Sequence, residues 1–250
     1  MRKSGQWKVV AASVAGAAHT KSGKGNEDAA LCASLPDGTL ILVAADGAGS
    51  AMCAAEGSSL CVQGALEVLQ SHPLPSSPEG WETFLLELSW RVRSGLEEVA
   101  LETDQTLKGF ASTLLLAVVT KTHIAALQIG DGAIVIKTDS SLQRLTQPFR
   151  GDYASETIFL TSADFLEHAS CKVVATSKVT AVALLTDGLE PVALNLAKDE
   201  PFAPFFEPLF SFAAKTDDAY THGPELANFL NSERIQERTQ DDKTLIVTVK

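Results

Sequence analysis

The chain has 250 residues, 45% of them hydrophobic, enough to bury a large core as one large domain or two small ones. Its formal net charge of -11 argues against a nucleic-acid binder, because nucleic-acid phosphates need a basic face, and any phosphate bound by so acidic a chain must be held by local metal charge rather than by overall steering. Four cysteines, Cys32, Cys53, Cys61 and Cys171, show no CxxC spacing and read as buried free thiols of a reducing cytoplasm.

In chain order, Met1-Arg2-Lys3 and the small, apolar run 9–18 have the outline of a secretory signal. Trp7-Lys8 interrupts that outline, and 8–14 reads instead as a first strand. Further strands are predicted over 29–34, 39–45, 112–120, 123–129, 133–138, 172–176, 181–186 and 244–249, with Thr120-Lys121-Thr122 as a hairpin turn. Helical periodicity covers 51–70 and 78–102. The second block has Ser77 as N-cap, Pro78 at the first helical position and Trp81, Phe84, Leu85, Leu88, Val92, Leu96 and Val99 on one face. Segment 71–78 reads as a loop between the two helices, and no linker divides residues 1–250, so one domain is expected. The Phe- and Pro-rich segment 201–212 predicts a helix and loop packed on a sheet, with a partner-binding flap as its functional alternative. No stretch reaches the roughly 18 apolar residues of a membrane span. Strands in consecutive hairpins, rather than alternating with helices, argue against a doubly wound sheet.

Acidic residues recur at the mouths of these strands. Asp46-Gly47 follows LILVAA, Asp131-Gly132 follows IAALQIG, Asp187-Gly188 follows VALLT, and Asp241-Asp242 precedes TLIVTV. A carboxylate at the mouth of a buried strand carries a desolvation cost that a surface loop avoids, and several such mouths together make a cage for hard divalent cations. Single Asp-Gly pairs are ordinary turn formers. It is their order and their strand context that carry the argument.

Taken together, Asn26-Glu27-Asp28-Ala29, Ala45-Asp46-Gly47-Ala48-Gly49-Ser50, Gly130-Asp131-Gly132, Thr186-Asp187-Gly188-Leu189 and Asp241-Asp242-Lys243-Thr244-Leu245 resemble the motifs of the metal-dependent (type 2C) protein phosphatases, from about His19 to Val249. The resemblance implies an α+β fold, a four-layer α-β-β-α sandwich of two antiparallel sheets flanked by helix pairs. It also implies a serine/threonine phosphoprotein phosphatase in which water activated by two metal ions, Mg²⁺ or Mn²⁺, attacks the phosphate monoester. By the same resemblance Asp46 bridges the two ions and Gly47 lends its carbonyl. Asp187 and Asp241 hold the first ion, Glu27 serves the second, and Asp28 orients bound waters. Asp131 resembles the residue that holds a third, looser ion in some members; its alternative is a plain turn aspartate. Asp242 is expected as a hydrogen-bonding neighbour of Asp241.

One departure stands out. Many members carry an arginine shortly before the Glu-Asp pair to bind the substrate phosphate, whereas this chain has Lys21-Ser22-Gly23-Lys24-Gly25 there. Lys24 or Lys21 offers a point charge in its place. His19 offers a hydrogen bond or an acid for the leaving group, or is simply a satisfied histidine at a strand end. The missing arginine keeps open a second reading, a non-catalytic, partner-binding module on the same fold. A third, a hydrolase for another phosphoester, uses the same site. The expected partner is a phosphoprotein, with no nucleic acid and no membrane, and the expected state is a cytoplasmic monomer. There is no Gly-x-Ser-x-Gly elbow, and Gly47-Ala48-Gly49-Ser50 matches neither nucleotide fingerprint. His72, His123, His168 and His222 lack zinc-ligand spacing and read as surface or structural.

Overall fold

The computed structural model describes residues 7–149, 157–216 and 223–250; the basic residues at 2 and 3 and His222 lie outside them. The elements run β1 (Lys8–Val14), α1 (Ala17–Ser22), β2 (Asp28–Ser34), β3 (Leu40–Asp46), α2 (Ala54–Ser71), α3 (Pro78–Glu102), β4 (Leu114–Val119), β5 (His123–Ile129), β6 (Ala133–Lys137), β7 (Leu142–Arg144) and β8 (Ser170–Ala175). They continue with β9 (Ala181–Leu185), α4 (Glu190–Ala193), β10 (Leu194–Asn195), β11 (Glu200–Pro201), α5 (Ala203–Lys215), α6 (Gly223–Leu230), α7 (Glu233–Gln236) and β12 (Lys243–Val249).

Two five-stranded sheets carry the architecture, ordered β1-β12-β9-β6-β7 and β2-β3-β4-β5-β8, and every pairing in them is antiparallel. The strands read as continuous apolar runs because both of their faces are covered. On β3, Ile41, Val43 and Ala45 pack under α2 and α3, while Leu40, Leu42 and Ala44 face the other sheet. On β12, Leu245, Val247 and Val249 pack with α5 residues such as Phe206 and Phe210, while Ile246 joins the layer between the sheets. A period of two thus sorts each strand into two cores, and three stacked cores make four layers.

Local chemistry sets the element ends. Ser77 caps α3 by accepting from the Gly80 N–H, 3.3 Å away, with Pro78 in the first turn. The predicted hairpin forms at 120–122, where the Thr120 N–H reaches the His123 carbonyl at 2.8 Å. The Phe/Pro segment becomes α5, with Phe205, Phe206, Leu209, Phe210 and Ala213 buried against the first sheet.

Several expectations need correction. The segment after β1 is not a plain strand end: it turns into α1, which Gly23 closes at φ 74°, so His19 stands on a helix. The first long helix begins at Ala54 rather than residue 51, because Ala48–Cys53 is drawn aside by hydrogen bonds to Ala111 and Gly109. Of the four free cysteines only Cys61 is fully buried; the other three are half-buried. The short strands β7, β10 and β11 and the helices α4, α6 and α7 lack a strong local pattern and follow from tertiary packing.

Candidate active site

The acidic strand mouths meet at one end of the sandwich. Asp46 ends β3 and Asp28 opens β2, and the two are direct partners in the antiparallel register. Burial, then the charges of Asp28 and Asp187, push the Asp46 carboxyl up to about 11, with Asp131 adding to the effect. Asp187, two residues past the end of β9, rises to about 6 through burial and the charges of Asp131 and Asp241. Burial likewise raises Asp28 to about 7, although hydrogen bonds from Thr244, Thr186 and Asp46 oppose the shift; the Thr186 hydroxyl donates at 2.8 Å. Asp241 is exposed and close enough to act on Asp187. Five aspartates expected from the sequence are therefore neighbours in space.

Glu27 joins them through its backbone. Its carbonyl accepts from the Gly47 N–H at 3.1 Å and the Ser58 hydroxyl at 2.6 Å. Its carboxylate Oε1 lies 3.2 Å from Lys24 Nζ, while Oε2 is buried with no hydrogen-bond partner. Gly47 is required here by close approach: a Cβ would sit 2.3 Å from the Ala54 carbonyl oxygen and 2.8 Å from that of Glu27. Gly188 is tighter still, its Cβ falling 1.9 Å from the Asp242 carbonyl oxygen.

Asp242, 3% exposed, is the hub of the cluster. One carboxylate oxygen accepts from the Gly16 N–H at 2.6 Å; the other accepts from the Glu27 N–H at 2.6 Å and contacts His19 Nδ1 at 2.9 Å. It ties α1, the start of β2 and the start of β12 together. Lys24 Nζ also donates to the Gly49 carbonyl at 3.0 Å, so the residue proposed to meet phosphate already spans the lip between Glu27 and the loop after β3. Lys21 is exposed on α1, with no side-chain hydrogen bond or ion pair among the described residues.

Three contributors had only faint sequence signals. Lys243 is wholly buried, donates to the Asp241 carbonyl at 3.0 Å, and faces the charges of Asp242, Asp241 and Asp28; burial lowers its pKa and those charges oppose the shift. A lysine opening the otherwise apolar β12 was the available clue. Arg144, its side chain 2% exposed, donates to the Gly132 carbonyl at 3.0 Å and to Asp199 at 2.9 Å. Gln128 donates to the carbonyls of Gly130 at 3.0 Å and Gly132 at 2.6 Å. These two hold the Gly130-Asp131-Gly132 turn from beneath, and the Thr157 hydroxyl donates to Asp131 from above.

Among the described residues no three His, Cys, Asp or Glu side chains close into a metal shell. The donor chemistry nevertheless fits a hard divalent cation: the ligands are oxygens, they repel one another in a buried setting, and Glu27 Oε2 is an orphaned buried acceptor. Cavities of about 710 Å³ and about 750 Å³ lie away from this cluster, the first against α3 and the second among α5, α6 and α7.

A two-sheet sandwich with carboxylates gathered at the strand mouths defines a class. The model of the protein phosphatase 2C family matches residues 15–231, and the chain belongs to that family. The serine/threonine-protein phosphatase 3 of Escherichia coli (strain K12) is 32% identical over 250 residues, covering 97% of this chain and 98% of the relative. Among solved structures, the fold is similar to the serine/threonine phosphatase Stp1 of Staphylococcus aureus (TM-score 0.68, 15% identity, 100% and 97% of the two chains). It is also similar to the serine/threonine phosphatase PstP/Ppp of Mycobacterium tuberculosis (TM-score 0.66, 16% identity, 97% and 98%).

Proposed function

We propose that this chain is a single-domain serine/threonine phosphoprotein phosphatase that hydrolyses phosphate monoesters with water activated by two divalent cations, Mg²⁺ or Mn²⁺. The observation that carries the proposal is the convergence of Asp28, Asp46, Asp131, Asp187 and Asp241, with Asp46 so unfavourably charged that its carboxyl is pushed up to about 11. Such a set costs stability unless a cation offsets it, which marks it as functional.

Divalent cations, once bound, lower the pKa of a coordinated water and clamp the phosphoryl oxygens. The chain's own part is to hold and orient. Asp46, with the Gly47 carbonyl, Asp187 and Asp241 would hold the ions on one side and Glu27 on the other, with Asp131 available to a third. Asp28, fixed by Thr186, orients water through its remaining lone pairs. Lys24, beside Glu27 and 43% exposed on its side chain, supplies the positive charge that meets the substrate phosphate, with Lys21 as its nearest substitute in sequence. His19 is held rigidly by Asp242 beside Glu27.

The buried charge network and the 32% identity to a named phosphatase favour an enzyme over a non-catalytic module. A cytoplasmic monomer fits the four free cysteines; among the described residues no helix is long and apolar enough to cross a membrane. The test is turnover of phosphoserine and phosphothreonine peptides with and without Mn²⁺ or Mg²⁺, beside a small aryl phosphate. Metal-dependent release of phosphate from the peptides is expected, and its absence in Asp46→Asn. Release that is indifferent to chelator would sink the proposal.

A further inference from the structure

The orphaned oxygen of Glu27 has a neighbour that the oxygen-only ligand set leaves out. His19 Nε2 lies 3.5 Å from Glu27 Oε2, and that oxygen is buried without a hydrogen-bond partner. The ring is fixed from its other side, where Nδ1 meets Asp242 Oδ2 at 2.9 Å. Asp242 is a three-fold acceptor, also taking the N–H groups of Gly16 and Glu27, so Nδ1 carries a hydrogen and Nε2 is the ring nitrogen that faces Glu27. An ion held between Nε2 and Oε2 would give that buried oxygen the partner it lacks.

The separation suits such an ion better than a direct bond. At 3.5 Å the pair lies beyond good N–H···O geometry. Two donors on one first-row ion, at bond lengths of about 2.1 Å, stand about 3.0–3.4 Å apart for right to tetrahedral angles. A carboxylate on the far nitrogen is the usual support of a metal-bound imidazole, fixing its tautomer and raising its basicity. Lys24 occupies the other Glu27 oxygen and leaves Oε2 to the ion.

We propose that His19 Nε2 is a metal ligand together with Glu27 Oε2, and that Asp242 is its positioning residue. The second ion position thereby gains a nitrogen donor and prefers a first-row transition ion such as Mn²⁺ over Mg²⁺, because imidazole suits the former and Mg²⁺ keeps to oxygen. The inference rests on the metal-dependent reading above and specifies which ion that site takes.

The test is spectroscopic. Pulsed electron paramagnetic resonance of the Mn²⁺-loaded full chain should show hyperfine coupling to a directly bonded nitrogen, and that coupling should change when histidine is labelled with ¹⁵N. It should vanish in His19→Gln, which places an amide oxygen where Nε2 was, and competition calorimetry should show the preference for Mn²⁺ over Mg²⁺ falling about tenfold or more. The isotope experiment uses the unaltered chain, so it decides the matter even if the variant folds poorly. Mn²⁺ bound without nitrogen coupling leaves His19 as an ion-pair partner of Glu27 only; that result overturns the ligand role and leaves the phosphatase reading intact. An unaltered chain that binds neither Mn²⁺ nor Mg²⁺ overturns both.

Discussion

Asp28 and Asp46 stand opposite each other across β2 and β3, and after burial it is the charges of Asp28 and, from the other sheet, Asp187 that push the Asp46 carboxyl up. The pair sits where two sheets and their charges meet, and its titration is tied to stability. In the metal-free protein Asp46, Asp28 and Asp187 all have folded values above the ordinary 3.8, so the folded state binds more protons than the unfolded one. Stability is therefore greatest at low pH as far as these groups go. It falls as pH rises from about 4 through about 6 for Asp187 and about 7 for Asp28, and it keeps falling through neutrality because of Asp46. Calorimetry without metal is expected to show the Tm dropping from about pH 5 to about pH 8, with Mn²⁺ reversing the drop. A metal-free Tm that climbs over that range would contradict the buried-carboxylate account.

The same logic separates metal binding from folding at Asp46. Asp46→Asn removes a charge that burial and three neighbouring aspartates disfavour, so the metal-free variant should be more stable than the parent at about pH 8, by about 1–3 kcal/mol. It should lose at least one bound ion and its phosphatase activity. Titration calorimetry with Mn²⁺ checks the first loss; unchanged stoichiometry and affinity remove Asp46 from the site.

Lys24 lies half-exposed between Glu27 and the Gly49 carbonyl, and its ammonium is a point charge without the fork of a guanidinium. Lys24→Ala is expected to raise KM about three- to fivefold with little change in kcat, the scale of an exposed ion pair of up to about 1 kcal/mol. Lys24→Arg should lower KM or leave it alone. Steady-state kinetics on one phosphopeptide decides it; if Lys24→Ala changes nothing, the same substitutions at Lys21 are next.

Burial pushes the thiols of Cys32, Cys61 and Cys171 up to about 12, which leaves almost no thiolate near neutrality. A chain in which all four cysteines are replaced by alanine or serine should retain turnover if it folds, with the main cost in stability falling at Cys61. A trapped phosphocysteine, detected by mass spectrometry, would show that covalent catalysis operates.

Gly188 leaves no room for a side chain, because a Cβ would meet the Asp242 carbonyl at 1.9 Å. Gly188→Ala must push the Asp187 turn away from the start of β12, and with it the residue that holds Glu27 and His19. A loss of about 2–5 kcal/mol in urea unfolding is expected, along with weakened Mn²⁺ binding. A fully stable variant would mean that this junction is loose enough to admit a methyl group.

Much of this protein could be read from the chain. The period of two in β3, β4, β9 and β12, buried on both faces, already called for strands between two covers, and Ser77-Pro78 announced α3. The aspartates at the strand ends were legible for the same reason: an acidic residue beside a buried apolar run is costly, and that conflict is visible locally. Tertiary structure alone decided how these pieces meet. His19, Gly16 and Glu27 contact Asp242 across 223, 226 and 215 residues, and nothing in the helical stretch around His19 foretells its partner. Nor could Arg144 or Gln128 be seen as supports of the Asp131 turn, since each acts through backbone carbonyls that any sequence would supply. Propensity and periodicity act over a few residues, whereas a buried carboxylate takes its proton affinity and its role from whichever distant groups the two sheets bring beside it.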